Sequence, residues 1–406
     1  MMFLQFFIWG VWYVPMWTFL GTLEIEASLR GTAYAATGVA AMISPFIVGM
    51  IADRYFATQK VYGLLHLLGG VALLLAGQAQ DWASFYPYLL FHLICYMPTL
   101  ALSNSLCFQN MEDPQKEFPP IRTLGTIGWI ASGILVGSSF FDEGSYQLIW
   151  PAFLGGENPP AEWSSIAVTS LTFQIGAMVS FALGLYSFTL PNTPPKLKGQ
   201  KVSMGDVLGL RALALMKDRS FAIFIGCSLL VCIPLSFYFQ SANGFLKEMG
   251  VANSEGVLTL GQFSEIFFLL LVPWFFRRLG VKRMLLIGMG CWVLRYVLFA
   301  QADAQTHALL YLGVLLHGIC YDFFFVTGQL YVDKVAPDDI RSSAQGFIAF
   351  VTLGVGMFIG GILNGWWNGI QSAEGVMNWE MVWYFPAALA GGVMLVFALS
   401  FKAKES

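Results

Sequence analysis

Twelve stretches of about 20 mostly apolar residues fill this chain, and each is long enough to cross the hydrocarbon core of a bilayer as a helix. They lie near residues 2–22, 33–52, 61–79, 85–108, 121–141, 165–190, 220–245, 257–276, 284–301, 307–332, 344–365 and 381–401. Because backbone polar groups cannot remain unpaired in lipid, such segments are expected to be packed helices. We therefore predict an all-α integral membrane protein with twelve transmembrane helices.

The composition supports the same fold class. Charged residues make up 11% of the 406 residues, against about 25% in soluble domains, and 57% are hydrophobic. The first segment has neither a basic start nor a small-residue cleavage site, so we interpret it as a spanning helix rather than a signal peptide. All six cysteines lie in apolar segments without a C-x-x-C pair, which favours small core residues and predicts no metal site.

The basic residues are distributed asymmetrically between alternate loops. If both termini lie on one side, the loops of that side hold seventeen Lys and Arg residues, whereas the opposite loops hold only Arg30 and Lys247. Basic loops stay in the cytoplasm. The pattern therefore predicts cytoplasmic termini and an even number of spans.

The sequence also predicts two halves. We expect an N-terminal six-helix bundle at 1–190, a cytoplasmic linker at 191–219 and a C-terminal six-helix bundle at 220–406. The segments Gly49–Phe56 and Pro273–Gly280 carry basic residues at the same phase, which favours an internal repeat. The G-x-x-x-D-R pattern of Gly49, Asp53 and Arg54 resembles the gating-loop signature of the major facilitator superfamily and implies its fold of two pseudo-symmetric halves.

Four ionisable side chains fall inside predicted spans: Arg122, Glu265, Arg295 and Asp322. Each costs roughly 2.5–3.5 kcal/mol at the centre of a helix in a membrane. They are therefore expected to pair, to line a hydrated cavity or to be neutralised. Arg295 is interpreted as structural, by pairing or by snorkelling. We expect His66, His92 and His307 to be packed or interfacial.

Helical spacing places several polar and aromatic side chains on common faces. These sets are Arg122, Thr126 and Trp129; Gln240 and Asn243; Gln262 and Glu265; and His317 with Tyr321. Asp322 lies about 100° round from Tyr321, in a stripe with Gly318, Phe325 and Gln329, which favours contact with a neighbouring helix. A ligand with a flat face and several hydroxyl and amide edges suits these groups, and both a nucleoside and a sugar fit that description.

The sequence resembles the nucleoside:proton symporter family over nearly its whole length. The resemblance is carried by FLQFFIWGVW (Phe3–Trp12), PTLALSNSLCF (Pro98–Phe108), FPPIRTLGTIGWI (Phe118–Ile130), FYFQSAN (Phe237–Asn243), LGQFSEIFF (Leu260–Phe268) and YDFFFVTGQLYVDK (Tyr321–Lys334). It implies proton-coupled nucleoside uptake by alternating access, with no cofactor and no enzyme activity. It also implies a monomer in the bacterial inner membrane, with nucleoside, protons and lipid as its partners.

The resemblance further implies roles for individual residues. Substrate binding falls to Arg122, Thr126, Trp129, Gln240, Asn243, Gln262, Glu265, His317 and Tyr321. Proton coupling falls to Asp322 first and Glu265 second. A better-known member of the family is similar but has Tyr where His317 stands and Phe where Trp129 and Tyr321 stand, which leaves the base preference open.

Other functions are predicted less well by the sequence. A sugar or oligosaccharide symporter of the same fold is the nearest alternative. A non-transporting receptor is another, and it would bind its ligand without counterflow. A membrane enzyme would need a metal cluster or a nucleophile–base pair, and neither H-x-x-x-H nor G-x-S-x-G occurs. ATP-driven transport would need a Walker A motif, which the chain lacks.

Overall fold

The computed structural model describes residues 1–195, 210–337, 340–373 and 376–402, and most of them are helical. The helices of the first half are α1 (Met2–Tyr13), α2 (Met16–Thr22), α3 (Ala27–Arg54), α4 (Thr58–Gln78), α5 (Trp82–Gln109), α6 (Pro114–Gly137) and α7 (Leu171–Ser187). The pair α1 and α2 forms one apolar stretch of 21 residues. Long apolar sequences thus fold as helices, as predicted.

The second half continues the same architecture. After a 3₁₀ helix at Leu210–Lys217 come α8 (Arg219–Glu248), α9 (Ser254–Gln301), α10 (His307–Leu315), α11 (His317–Tyr321), α12 (Thr327–Val335), α13 (Arg341–Ala349), α14 (Met357–Gln371) and α15 (Trp379–Ser400). Single π-helical turns at Asp322–Val326 and Phe350–Gly356 join α11 to α12 and α13 to α14.

One glycine divides the longest helix. At Gly280 the backbone has φ 68° and ψ 172°, which interrupts the helical path of α9. A positive φ of this kind suits glycine, which has no Cβ. The interruption lies between the predicted segments 257–276 and 284–301, so the two are separate helical stretches inside α9.

The connection between α6 and α7 is more structured than expected. It contains β1 (Ser139–Asp142), β2 (Ser145–Leu148) and β3 (Ser164–Ser165) in a three-stranded antiparallel sheet of order β2-β1-β3. The prediction of a helix to residue 141 is therefore wrong. Glu143 and Gly144 both have positive φ, of 44° and 86°, which makes the tight two-residue turn of a β-hairpin.

Eight helical stretches within the described residues are long and apolar enough to cross a membrane. The twelve predicted segments all fall largely within helices. The class of a helical membrane protein is thereby confirmed. The exact number of twelve spans stays a prediction.

The chain forms two compact units. The N-terminal unit comprises Met1–Lys201 and Leu246–Thr259, and the C-terminal unit comprises Val202–Phe245 and Leu260–Ser406. Leu246–Thr259 packs closely against α6, where glycines leave room for it. A Cβ on Gly133 of α6 would lie 2.4 Å from the Thr259 Cγ2 atom. The predicted boundaries at 190 and 220 stay a prediction.

Candidate functional site

The predicted residues of α6 form an aromatic cluster with α1 in the N-terminal unit. Gly128 allows the close approach, because a Cβ there would lie 2.1 Å from the Phe3 carbonyl oxygen. The Arg122 guanidinium carbon lies 4.3 Å from the Phe6 ring centroid. The rings of Trp129 and Trp9 meet edge to face at 5.7 Å.

Arg122, Thr126 and Trp129 are all partly exposed, so this face of α6 remains accessible. The indole nitrogen of Trp9 is buried and has no hydrogen-bond partner within the described part of the chain. Sequence reasoning missed Phe6 and Trp9. Their i, i+3 spacing on α1 is a signal that could have found them.

A polar network lies deeper in the N-terminal unit, around Gln5. Its Nε2 donates to Thr99 Oγ1 at 2.7 Å, and its Oε1 accepts from Tyr62 OH at 2.5 Å and from His66 Nε2 at 2.9 Å. His66 Nδ1 in turn lies 3.2 Å from Ser180 Oγ. The network joins α1, α4, α5 and α7. His66 is therefore a packed residue, as predicted, and His92 is buried as well.

The predicted amides of α8 are buried in the C-terminal unit. Gln240 has no exposed surface, and Asn243 is 1% exposed. Neither polar atom of the Gln240 carboxamide has a hydrogen-bond partner among the described residues. On the same helix, Ser241 accepts hydrogen bonds from Asn364 at 2.9 Å and Asn368 at 3.0 Å, which fixes the rotation of α8 against α14.

The structure brings Glu265 and His317 together. Glycines permit a tight crossing of α9 and α11: a Cβ on Gly318 would lie 2.4 Å from the carbonyl carbon of Ser264. At this crossing, His317 Nε2 lies 3.8 Å from Glu265 Oε2. Gln262, one turn before Glu265, is also buried. Spacing placed these residues on faces but could not predict the contact between the two helices.

Aromatic rings form a column beside this pair, which we call the stacking column: Tyr238, His317, Tyr321 and Phe325. Tyr238 and His317 stack at 5.1 Å with 20° between their planes. His317 and Tyr321 stack at 5.6 Å and 29°, which confirms that they share a face. Tyr321 continues to Phe325 at 5.0 Å. Tyr238 was not predicted, because it lies two residues from Gln240 on α8 and belongs to the site only through α11.

Asp322 begins the π-helical turn that follows α11. It is 1% exposed, and its Oδ2 atom has no hydrogen-bond partner in the described residues. The predicted stripe of Gly318, Asp322, Phe325 and Gln329 assumed a regular α-helix, and the wider π turn breaks that periodicity.

Arg295 is fully buried on α9, so it does not snorkel. Its Nε donates to the Gly313 carbonyl at 3.1 Å, and its guanidinium carbon lies 4.2 Å from the Tyr238 ring centroid. The backbone of Gly49, Asp53 and Arg54 ends α3. The side chains of Asp53 and Arg54 lie outside the described ones, so their gating role stays a prediction.

Comparison with known proteins supports the assignment these residues suggested. A family model described as "Nucleoside H+ symporter" matches residues 1–406. YegT of Escherichia coli (strain K12) is 41% identical over 415 residues, covering 100% of this chain and 93% of that protein. The nucleoside permease NupG of the same organism is 30% identical over 420 residues, covering 99% of this chain and 94% of that protein.

Solved structures agree. A crystal structure of the nucleoside transporter NupG matches with a TM-score of 0.84 and 29% identity, covering 99% of this chain and 98% of that one. A D-xylose–proton symporter matches with a TM-score of 0.68 but 13% identity, which shows a shared fold alone. The family match favours nucleosides over the sugar alternative. The chain therefore belongs to the nucleoside–H⁺ symporter family: it is a proton-coupled nucleoside transporter and not an enzyme.

Proposed function

We propose that this transporter moves nucleosides into the bacterial cytoplasm by alternating access. The observation that carries the proposal is the buried Gln240 carboxamide, because neither of its polar atoms has a hydrogen-bond partner within the described ranges of the chain. Leaving a buried polar group unpaired costs about 1–3 kcal/mol, so its retention favours a ligand with complementary donors and acceptors. The edge of a nucleobase provides both.

The remaining substrate residues follow the same logic. The stacking column offers aromatic planes to a base through His317 and Tyr321, while Asn243, Gln262 and Glu265 offer hydrogen-bonding groups. Arg122, Thr126 and Trp129 on α6 offer a cation, a hydroxyl and a ring. Stacking and edge recognition together distinguish a nucleoside from a purely hydroxylated ligand.

We infer that Asp322 carries the coupling proton and that Glu265 is the second candidate. Both carboxyl groups belong to the C-terminal unit, and the buried Asp322 has an Oδ2 atom without a hydrogen-bond partner among the residues that the structure describes. A proton entering from outside would neutralise this group, and the change of access would release it inside. One proton crossing 100 mV supplies about 2.3 kcal/mol. At about 1.36 kcal/mol per tenfold, this supports roughly 50-fold accumulation of a neutral solute.

The predicted setting completes the proposal. The asymmetry of basic loops supports twelve spans with both termini in the cytoplasm of a bacterial cell, in its inner membrane. The chain is proposed to act as a monomer. No cofactor is proposed, because the proton gradient supplies the energy for transport.

The decisive experiment measures uridine uptake into proteoliposomes with an imposed pH gradient. Wild-type protein should concentrate uridine, and excess nucleosides, but not sugars, should compete. Asp322→Asn should lose accumulation while retaining uridine counterflow, because binding survives without proton coupling.

A matched variant, Glu265→Gln, separates the two carboxyl groups. If Asp322→Asn accumulated uridine to the wild-type level, Asp322 would not be the proton-coupling residue. If only Glu265→Gln then lost accumulation, Glu265 would be the proton carrier.

A further inference from the structure

Arg295 is a buried cation that the proposed transport cycle does not use. It has no exposed surface, and neither terminal nitrogen of its guanidinium has a hydrogen-bond partner within the described residues. Its Nε donates a hydrogen bond to the Gly313 carbonyl at 3.1 Å. Moving a charge out of water is costly, so a compensating interaction is required.

Tyr238 provides that interaction. The guanidinium carbon lies 4.2 Å from the centre of the Tyr238 ring, well within the range of a cation–π contact. Such contacts strengthen when the cation is shielded from water, as it is here. Arg295 therefore restrains the plane of the Tyr238 ring.

Tyr238 transmits the restraint to the predicted substrate residues. Its ring stacks on His317 at 5.1 Å, and His317 stacks on Tyr321 at 5.6 Å. His317 also faces Glu265 at 3.8 Å. Movement of the Tyr238 ring would thus disturb the plane of His317 and, through it, that of Tyr321.

We propose that Arg295 is a positioning residue for nucleoside binding: it holds Tyr238, and through the stacking column it presets the rings of His317 and Tyr321 for the base. This proposal rests on the substrate roles of His317 and Tyr321 given above. Presetting the rings lowers the ordering cost of binding, so it acts on affinity rather than on turnover.

The test is the kinetics of uridine uptake in proteoliposomes. Arg295→Met should raise KM about tenfold and leave Vmax within about twofold, because the ring restraint is lost while the proton pathway is kept. Arg295→Lys keeps a cation over the ring and should restore KM to within about threefold of wild type. A purely structural role would lower the amount of folded protein without this separation of KM from Vmax.

Tyr238 supplies a second route to the same answer if Arg295→Met does not fold. Tyr238→Leu should raise KM similarly, whereas Tyr238→Phe keeps the ring and should not. The double variant of Arg295→Met and Tyr238→Leu should be no worse than either single variant, because both remove one interaction.

Arg30 is the matched control in the N-terminal unit. Its Nε donates to the Ile25 carbonyl at 2.6 Å, and its guanidinium lies 5.4 Å from the Trp17 ring. Arg30→Met should leave KM unchanged. An unchanged KM in both Arg295→Met and Tyr238→Leu would overturn the proposal. A KM for Arg295→Lys as high as that for Arg295→Met would overturn it as well. Absence of uridine uptake by wild-type protein would instead overturn the proposed function.

Discussion

Each unit buries a glutamine side chain on a spanning helix, and the two differ in their hydrogen bonding. In the N-terminal unit, Gln5 makes hydrogen bonds through both ends of its carboxamide, to Thr99, Tyr62 and His66. In the C-terminal unit, the carboxamide of Gln240 is equally buried, yet neither of its polar atoms has a partner in the described residues. The same residue type thus takes part in a hydrogen-bond network at Gln5 and remains available for a ligand at Gln240.

This difference distinguishes a side chain that stabilises the fold from one that is proposed to bind the ligand. A saturated buried network fixes the helices that contribute to it, because breaking one bond strands several partners. A buried group without a partner lowers stability, and use by a ligand or a proton is one reason for such a group to be retained. Stability should therefore depend on Gln5 and ligand affinity on Gln240.

Replacing Gln5 should have the largest effect. Gln5→Leu removes the acceptor of Tyr62 OH and His66 Nε2 and should lower the free energy of unfolding by about 2–4 kcal/mol. Thermal unfolding of the purified protein should occur several degrees lower.

The matched control is Gln174→Leu on α7, because Gln174 is partly exposed and its Nε2 donates to Ser170 Oγ, one turn away on the same helix. It should change the melting temperature little. If both variants melted alike, the Gln5 network would not be a stabilising scaffold.

Replacing Gln240 should have an effect of the opposite kind. Gln240→Leu removes a buried amide that has no hydrogen-bond partner in the described part of the chain, so the melting temperature without ligand should stay the same or rise. Nucleoside affinity should fall about tenfold, since about 1.4 kcal/mol of edge recognition is lost. Calorimetric titration with uridine measures this change in affinity.

Ser228 gives the control for this change on the same helix. Its hydroxyl is also buried without a partner in the described residues, but it lies twelve residues before Gln240. Ser228→Ala should leave uridine affinity unchanged. Equal affinities in wild type and Gln240→Leu would remove Gln240 from the site.

The smallest effect is expected at two exposed aspartates, where the units should behave alike. Asp81 accepts hydrogen bonds from the backbone and hydroxyl of Ser84, and Asp303 accepts from the backbone amides of Gln305 and Thr306. These bonds lower the pKa of each carboxyl group. Their contribution to stability is therefore present above the unfolded pKa of about 4 and is lost as the pH falls through the lower folded value.

Asp81→Asn and Asp303→Asn should each lower the melting temperature slightly at pH 6. The difference from wild type should shrink as the pH is lowered from 6 past the unfolded pKa of about 4 and through the lower pKa of the native carboxylates. Thermal unfolding measured across this pH range tests the pair. A difference that grew with acidity would contradict the assigned direction of the pKa shift.

Much of the fold was predictable because lipid restricts the possible structures. Apolar runs of about 20 residues must become helices, and the predicted segments fall within helices accordingly. The three-stranded sheet after α6 was missed because Phe140 and Phe141 prolong the apolar segment that begins in α6. The two-residue turn at Glu143 and Gly144 was the local signal for the hairpin.

The candidate site was predictable only in part. Spacing along one helix correctly paired His317 with Tyr321, since residues four apart share a face. The contact of His317 with Glu265 joins two helices and depends on Gly318 at their crossing. Tyr238 and Arg295 contact the site through packing between helices, and spacing along a single helix does not encode such contacts.

The sequence by itself determined the membrane class, the helical segments, the family and the residues that lipid makes costly, because each depends on local composition or on motifs read along the chain. The tertiary structure alone decided which buried polar groups are paired and which are not. Pairing depends on how distant helices pack, and glycines such as Gly128 and Gly318 set that packing at separations that only coordinates reveal.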